Sequence, residues 1–218
     1  MITVIIPVGP QPVYRKYLQE CLDSIKKQTV RPTEVLLVDD MAHLRDWGLD
    51  TNGLTVKVHE NAWNLGNPAS KNVGVAVARN PLCLMIGSDD KLHPWCIADL
   101  THSWEVFQEP LGYYWCDVEY DNGDCQAVPC GGAMVHKALW QETGGYPLKS
   151  VVGADDSIFI DLLAVRGLAK LIHVKSKNPP IWCRRHDQSL TAKNGPWWQV
   201  IPKAREIIVA EWEKPTWC

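Results

Sequence analysis

Short apolar runs alternate with amphipathic stretches through residues 1–90. Ile2-Thr3-Val4-Ile5-Ile6-Pro7 is continuous and β-branched, which predicts a buried strand. Val13, Tyr17, Leu18, Cys21, Leu22 and Ile25 recur at helical spacing and predict a helix ending near Gln28. Glu34-Val35-Leu36-Leu37-Val38 is a second buried strand and Leu54 to Val58 a third, with a short irregular or helical link from His43 to Asp50. A polar loop, Asn61 to Asn67, leads into a helix over Pro68 to Ala78, with Ala69, Val73, Ala76 and Val77 expected inward. Leu82-Cys83-Leu84-Met85-Ile86 is the fourth strand. Continuous apolar strands joined by helices predict a parallel sheet with right-handed crossovers.

The second half is less regular. Helices are expected over Pro94 to Phe107, Lys137 to Glu142 and Asp155 to Arg166, and an amphipathic tail helix over Trp197 to Trp212. Strands are expected over Tyr113 to Tyr120, Cys130 to Val135 and Leu168 to Val174, with an extended segment from Ile181 to Arg185. Asp121-Asn122-Gly123-Asp124 signals a turn, and Gly144-Gly145 stops a helix.

Composition narrows the class. The chain has 218 residues, 46% of them hydrophobic and 22% charged, which is enough for a sizeable core. A net charge of −3 argues against a strongly electrostatic nucleic-acid binder. No apolar run approaches the ~20 residues of a membrane span. Of eight cysteines none forms a C-x-x-C pair, which argues against a zinc ribbon or a thioredoxin-like site. With no signal peptide before Ile2, free thiols in a cytoplasmic, reducing setting are expected. Eleven tryptophans suit sugar faces as well as ordinary packing; for Trp95, Trp115 and Trp182 packing is the expected role.

Acidic pairs stand at comparable places. Asp39-Asp40 closes the second strand and Asp89-Asp90 follows the fourth, while Asp155-Asp156 opens a helix after Gly153. Open α/β sheets bind ligands at the carboxyl ends of their strands. Adjacent carboxylates repel and favour a cation. Each pair taken alone also reads as a cap or a turn.

These residues lie in ordered motifs. The segment from Cys21-Leu22-Asp23-Ser24-Ile25 to Gln28-Thr29 carries "SI..Q", and Glu34 to Asp40 carries "E.L.VDD". Asn64-Leu65-Gly66 through Lys71-Asn72-Val73-Gly74 matches "N.G...aRN.G", and Ile86 to Asp90 with Pro94 matches "LDSDD...P". Gly144-Gly145-Tyr146 matches "GGF", Gly153 to Phe159 matches "G.EDs.F", and Arg184 to Ser189 matches "R.H..S". In this order, over about residues 1–190, the set resembles family 2 glycosyltransferases of the GT-A fold. The resemblance implies an α/β, Rossmann-like three-layer sandwich with a mostly parallel central sheet and a smaller acceptor-side β element. It implies one domain over 1–218: a nucleotide-sugar half (1–90), an acceptor half (91–195) and the C-terminal helix (196–218).

The implied activity is inverting transfer from a nucleotide sugar, a UDP-sugar by family analogy, to an acceptor hydroxyl, with Mn²⁺ or Mg²⁺ as cofactor. Asp156 matches the base that takes the hydroxyl proton. Asp90 and His186 are implied metal ligands. Pro7, Val8, Asp39, Asn64, Lys71, Ser88 and Asp89 are implied at the donor, with Asp39 accepting from the nucleobase and Lys71 facing diphosphate or Asp89. Gly131, Gly132 and Asp155 fall on the acceptor and donor-sugar side. Four departures stand out. Gly87 replaces the first acid of the metal motif, Met41-Ala42 replaces "GS" after strand 2, Lys71 replaces Arg, and the QxxRW motif of polysaccharide synthases is absent.

Two other readings compete. A nucleotidyltransferase, like a dinucleotide-dependent oxidoreductase, needs a glycine-rich loop after strand 1, and Val8-Gly9-Pro10-Gln11-Pro12 has one glycine. A degenerate sugar-nucleotide-binding module would bind donor without turning it over. The acceptor has no readable code: glycan, protein, lipid-linked sugar, small molecule and modified nucleic-acid base all carry a suitable hydroxyl.

Overall fold

A computed structural model describes residues 1–127, 132–148 and 155–187. Seven strands form the main sheet: β1 (Ile2–Val8), β2 (Glu34–Asp39), β3 (Val56–Glu60), β4 (Leu82–Ile86), and, beyond a short β5 (Lys91–Leu92), β6 (Gly112–Cys116), then β9 (Gly132–His136) and β10 (Lys170–Val174). Their order is β10-β6-β9-β4-β1-β2-β3. Only β9 runs antiparallel to its neighbours in this sheet. A smaller sheet pairs β5 with β11 (Ile181–Cys183), β7 (Val118–Tyr120) and β8 (Cys125–Gln126) in the order β5-β11-β7-β8.

The apolar runs explain this arrangement. All residues of β1, β2 and β4 are buried. Successive side chains of a strand point to opposite faces, so such strands need cover on both. On one face α1 (Pro12–Lys26) and α3 (Cys96–Phe107) place Leu18, Leu22, Ile25, Ile97 and Leu100 against Val4, Ile6, Val35 and Leu84. On the other, α2 (Asn67–Val77), α4 (Lys137–Thr143) and α5 (Asp155–Arg166) set Val75, Leu139, Trp140, Phe159 and Leu163 against Ile5, Leu36 and Met85. The result is the expected three-layer α/β sandwich with its smaller β element.

Several elements differ from the sequence reading. The stretch from Tyr113 to Tyr120 is broken at Asp117: β6 joins the main sheet and β7 the smaller one. The third strand lies two residues later than the apolar pattern suggests, since pairing with β2 sets its register. The expected inward face of α2 holds only in part: Val73 packs against the core and Ala69 is half-buried. Ala76 and Val77 are exposed, while Ser70, Lys71, Asn72, Gly74 and Val75 are buried. Gly74 explains the shift, because a Cβ there would meet the Ile5 side chain and, at 3.2 Å, that of Val38. The helix therefore approaches the sheet along a line with no side chain, and its polar residues turn inward beside that line. Cys130, Gly131, Gly153 and the tail helix expected over 197–212 lie outside the described residues.

Because β1 lies between β2 and β4, the chain reverses its direction of travel across the sheet there. A crevice opens at such a switch point, at the carboxyl ends of the strands. Asp39, Asp40, Asp89 and Asp90 all follow those ends.

Candidate active site

The turn after β4 is shaped by Gly87. The Asp90 N–H donates to the Gly87 carbonyl at 3.2 Å, closing the turn. A Cβ at position 87 would lie 2.7 Å from Asp90 Oδ2 and 3.0 Å from Asp89 Oδ1. Both carboxylates thus fold back over the glycine, into space that an acid at 87 would need. The departure noted at Gly87 is part of how the remaining acids are placed.

Residues from β11 onward hold those acids. The Arg184 N–H donates to Asp90 Oδ1 at 2.9 Å, and Arg184 Nε donates to the Asp89 carbonyl at 3.1 Å. The guanidinium is itself fixed on α1, bonded to Glu20 at 2.7 Å and lying 3.8 Å over the Tyr17 ring. His186 Nε2 sits 3.0 Å from Asp89 Oδ2 with its side chain 9% exposed. Its Nδ1 is buried and has no hydrogen-bond partner among the described residues. Burial, then the charge of Asp89, drives the Asp90 carboxyl well above the ordinary carboxylate range; the Arg184 N–H opposes this and Asp156 adds to it. The same acids act on α1. Tyr14 is pushed up to about 12 by burial and then by Asp89 and Asp90, so its phenol stays protonated. The Cys21 thiol donates to the Gly87 carbonyl at 3.7 Å and is raised by burial first and the two acids after it.

Two carboxylates, an imidazole and a strongly raised acid are the donor set and the electrostatic state that a divalent cation relieves. Among the described residues no three His, Cys, Asp or Glu side chains form a ready-made metal cage. That fits an ion bound by one or two carboxylates plus substrate phosphates and water. Asp89 and Asp90 suit Mn²⁺ or Mg²⁺ as one or two carboxylate ligands, and His186 stands beside them, 3.0 Å from Asp89 Oδ2.

The acids after β2 have structural duties. Asp39 Oδ1 accepts from the N–H of Ala42 at 2.6 Å and of His43 at 3.1 Å, and its Oδ2 from Leu44 at 2.8 Å. The carboxylate holds the chain where Met41 and His43 take positive φ, leaving about one of its roughly four lone pairs for a ligand. Asp40, which sequence reasoning passed over as a site residue, receives Asn61 Nδ2 and the N–H groups of Leu65 and Gly66. It thereby fixes the loop bearing Asn64, whose Oδ1 accepts from Gly66 at 3.1 Å. Pro7 and Val8 are buried at the end of β1, and the Val8 carbonyl receives the Asp40 N–H. Ser88 is also buried.

Lys71 pairs with Asp156. Its Nζ lies 2.7 Å from Asp156 Oδ1, at the start of α5, with the lysine side chain 8% exposed. The Tyr146 hydroxyl donates to the same oxygen at 2.6 Å. Beside Lys71, Asn72 grips the Tyr146 backbone: Oδ1 accepts its N–H and Nδ2 donates to its carbonyl, both at 2.9 Å. Asn72 Oδ1 also accepts from Trp140 Nε1 at 2.9 Å. Gly145 has φ +81°, and a Cβ there would strike Asn72 Oδ1 and Trp140 Nε1. Gly145→Ala is therefore expected to lower stability by at least ~1–3 kcal/mol, read as a fall in melting temperature. A Gly74→Ala change should act similarly by pushing α2 off β1.

Gly132 begins β9 opposite Ile86, and a Cβ there would lie 2.7 Å from Ile181 Cδ1. It serves close packing of the two sheets beside the site. Trp115 stacks on His173 at 4.0 Å, Trp95 on His93 at 5.3 Å, and Lys91 lies over Trp182 at 3.7 Å. Gly131 and the side chain of Asp155 lie outside the described residues.

Comparison with known proteins adds a decisive observation. The model of glycosyl transferase family 2 matches residues 3–124, over half the chain and including both acidic pairs of the crevice. The chain belongs to glycosyltransferase family 2. Glycosyltransferase GlyG of Streptococcus pneumoniae serotype 4 is 32% identical over 96 residues, covering 41% of this chain. The matched region spans 30% of that protein's length. Among solved structures, S. aureus TarS residues 1–349 in complex with UDP-GlcNAc superposes with a TM-score of 0.71 at 18% identity, over 98% of this chain and 68% of that one. The same protein with UDP gives 0.67 at 18% identity, over 98% and 67%. At such identity the likeness shows the fold, which is the GT-A fold of this family. No helix among the described residues is long and apolar enough to cross a membrane.

Proposed function

We propose that this family 2 glycosyltransferase moves a sugar from a UDP-sugar to an acceptor hydroxyl with inversion, in a reaction that depends on Mn²⁺ or Mg²⁺. The observation that carries the reading is the convergence of two acidic sites. Asp89, Asp90 and His186 gather at the end of β4, and Asp156 lies near enough for its charge to raise the Asp90 carboxyl. One site suits a metal-bound diphosphate and the other a proton acceptor.

Each residue then has a role. Asp90, with Asp89 and His186, would hold the cation, which offsets charge on the departing diphosphate. Asp39 and Asp40 shape the loops at 41–44 and 64–66, and the remaining lone pair of Asp39 faces the uracil in this reading. Asp156 Oδ1 is occupied by Lys71 and Tyr146, while Oδ2 has no hydrogen bond among the described residues. Oδ2 is the atom that takes the acceptor proton. The acceptor oxygen bonds to the anomeric carbon as the carbon–phosphate oxygen bond breaks, its electron pair leaving with UDP. One displacement from the opposite face inverts the centre. UDP is the proposed carrier because UDP and UDP-GlcNAc are the ligands in the TarS structures. The six described cysteines are all free; a reducing, cytoplasmic setting is part of this proposal.

A panel of UDP-sugars, run with Mn²⁺, with Mg²⁺ and with EDTA, tests this by release of UDP. Release from at least one donor, abolished by EDTA, is expected. Binding of UDP with no donor turned over would favour a non-catalytic binding module.

A further inference from the structure

We propose that Tyr146, acting with Lys71, is a positioning residue that fixes the carboxylate of Asp156 so that one chosen oxygen meets the acceptor. The inference rests on Asp156 as the general base and deepens that reading. Both donors converge on Oδ1, Tyr146 at 2.6 Å and Lys71 at 2.7 Å. The Lys71 ammonium also lies 4.7 Å over the Tyr146 ring, so the two donors brace each other. Asn72 clamps the backbone of Tyr146 from both sides, and Trp140 and Phe159 pack its ring at 5.1 and 4.6 Å. The hydroxyl thus approaches Asp156 on a rigid arm.

The chain uses two departures from the motif pattern for this. Tyr stands where the GGF motif has Phe, and Lys where the pattern has Arg. A phenylalanine has no atom to reach Oδ1. The Lys71 ammonium, a compact point charge, can share one oxygen with the phenol, whereas a guanidinium favours bidentate capture of both. Tyr146 with Lys71 therefore leaves Oδ2 open, and an Asp156 side chain 25% exposed is held in a single orientation. Holding a reacting group in its attack geometry is a recognised source of rate.

The test uses the full chain, with UDP-GlcNAc and Mn²⁺ as the probe, the other UDP-sugars in parallel, and UDP release as the readout. Tyr146→Phe is expected to lower kcat about tenfold, the scale of one hydrogen bond to a charged group, while KM for the donor stays unchanged. In an Asp156→Asn background, Tyr146→Phe should change nothing further, because there is no base left to position. A merely structural Tyr146 would depress both backgrounds alike, and that result overturns the proposal. Lys71→Met should repeat the pattern, with its effect again absent in Asp156→Asn, so the question stays answerable if Tyr146→Phe fails to fold. A wild-type rate for Tyr146→Phe beside an inactive Asp156→Asn defeats the clamp and leaves the base standing. A wild-type rate for Asp156→Asn defeats the base itself.

Discussion

Asp156→Asn is expected to bind UDP as the wild type does and to lose sugar transfer by roughly 10²–10⁴-fold in kcat, the range that a positioned general base contributes. The amide keeps the shape of the carboxylate and can still accept from Lys71 and Tyr146 through its oxygen. It presents an NH₂ group to the acceptor, with no lone pair to take a proton. The loss should therefore fall on kcat, with donor KM nearly unchanged. Calorimetric titration with UDP and Mn²⁺ separates this outcome from a folding defect. A matching loss of UDP affinity would place Asp156 at the donor and remove it as the base.

Asp90→Asn should also abolish turnover, with a second signature in stability. Burial and then Asp89 raise the Asp90 carboxyl well above the ordinary carboxylate range in the folded chain. The folded state thus keeps a proton that the unfolded state gives up sooner. Stability from this group is present at low pH and is lost as pH rises from the ordinary carboxylate range towards the raised folded value. Replacing the acid by a neutral amide removes that loss. Asp90→Asn without metal is expected to melt above the wild type at pH 7.5 and close to it at pH 4. Mn²⁺ should raise the melting temperature of the wild type and leave that of Asp90→Asn unchanged, since only a native state that binds the ion gains from it. An equal Mn²⁺ response in both proteins would take Asp90 out of the metal site.

The sequence made the framework readable because local pattern and buried position coincide there. Strands such as β1, β2 and β4 need cover on both faces, so their runs are continuously apolar and visible. Both acidic pairs of the crevice follow directly from where those strands end. The break at Asp117 is hidden because Tyr113 to Tyr120 reads evenly through it, while β6 takes β9 and β10 as partners and β7 takes β11 and the nearby β8, in a different sheet. The polar inward residues of α2 are illegible for a related reason. Hydrophobicity marks a face that meets the core, but this helix meets a site as well, and its buried Lys71 and Asn72 bond residues 68 to 85 positions away. The Lys71 partner follows from that fold and from no local spacing. Asp39 stood out as an acid, yet its three backbone donors depend on the loop conformation that it stabilises itself. Tyr146 carried the one local signal that was passed over, a hydroxyl on the ring that closes a glycine pair.

Inverting, metal-dependent transfer from a UDP-sugar is most directly tested with the donor alone, water standing in for the acceptor. The chain would be incubated with UDP-GlcNAc and Mn²⁺, and the released sugar followed by proton NMR before its anomers equilibrate. EDTA-sensitive release of UDP is expected, with the β-anomer of the sugar appearing first from the α-linked donor. First appearance of the α-anomer, or the same rate of release in EDTA, would contradict it.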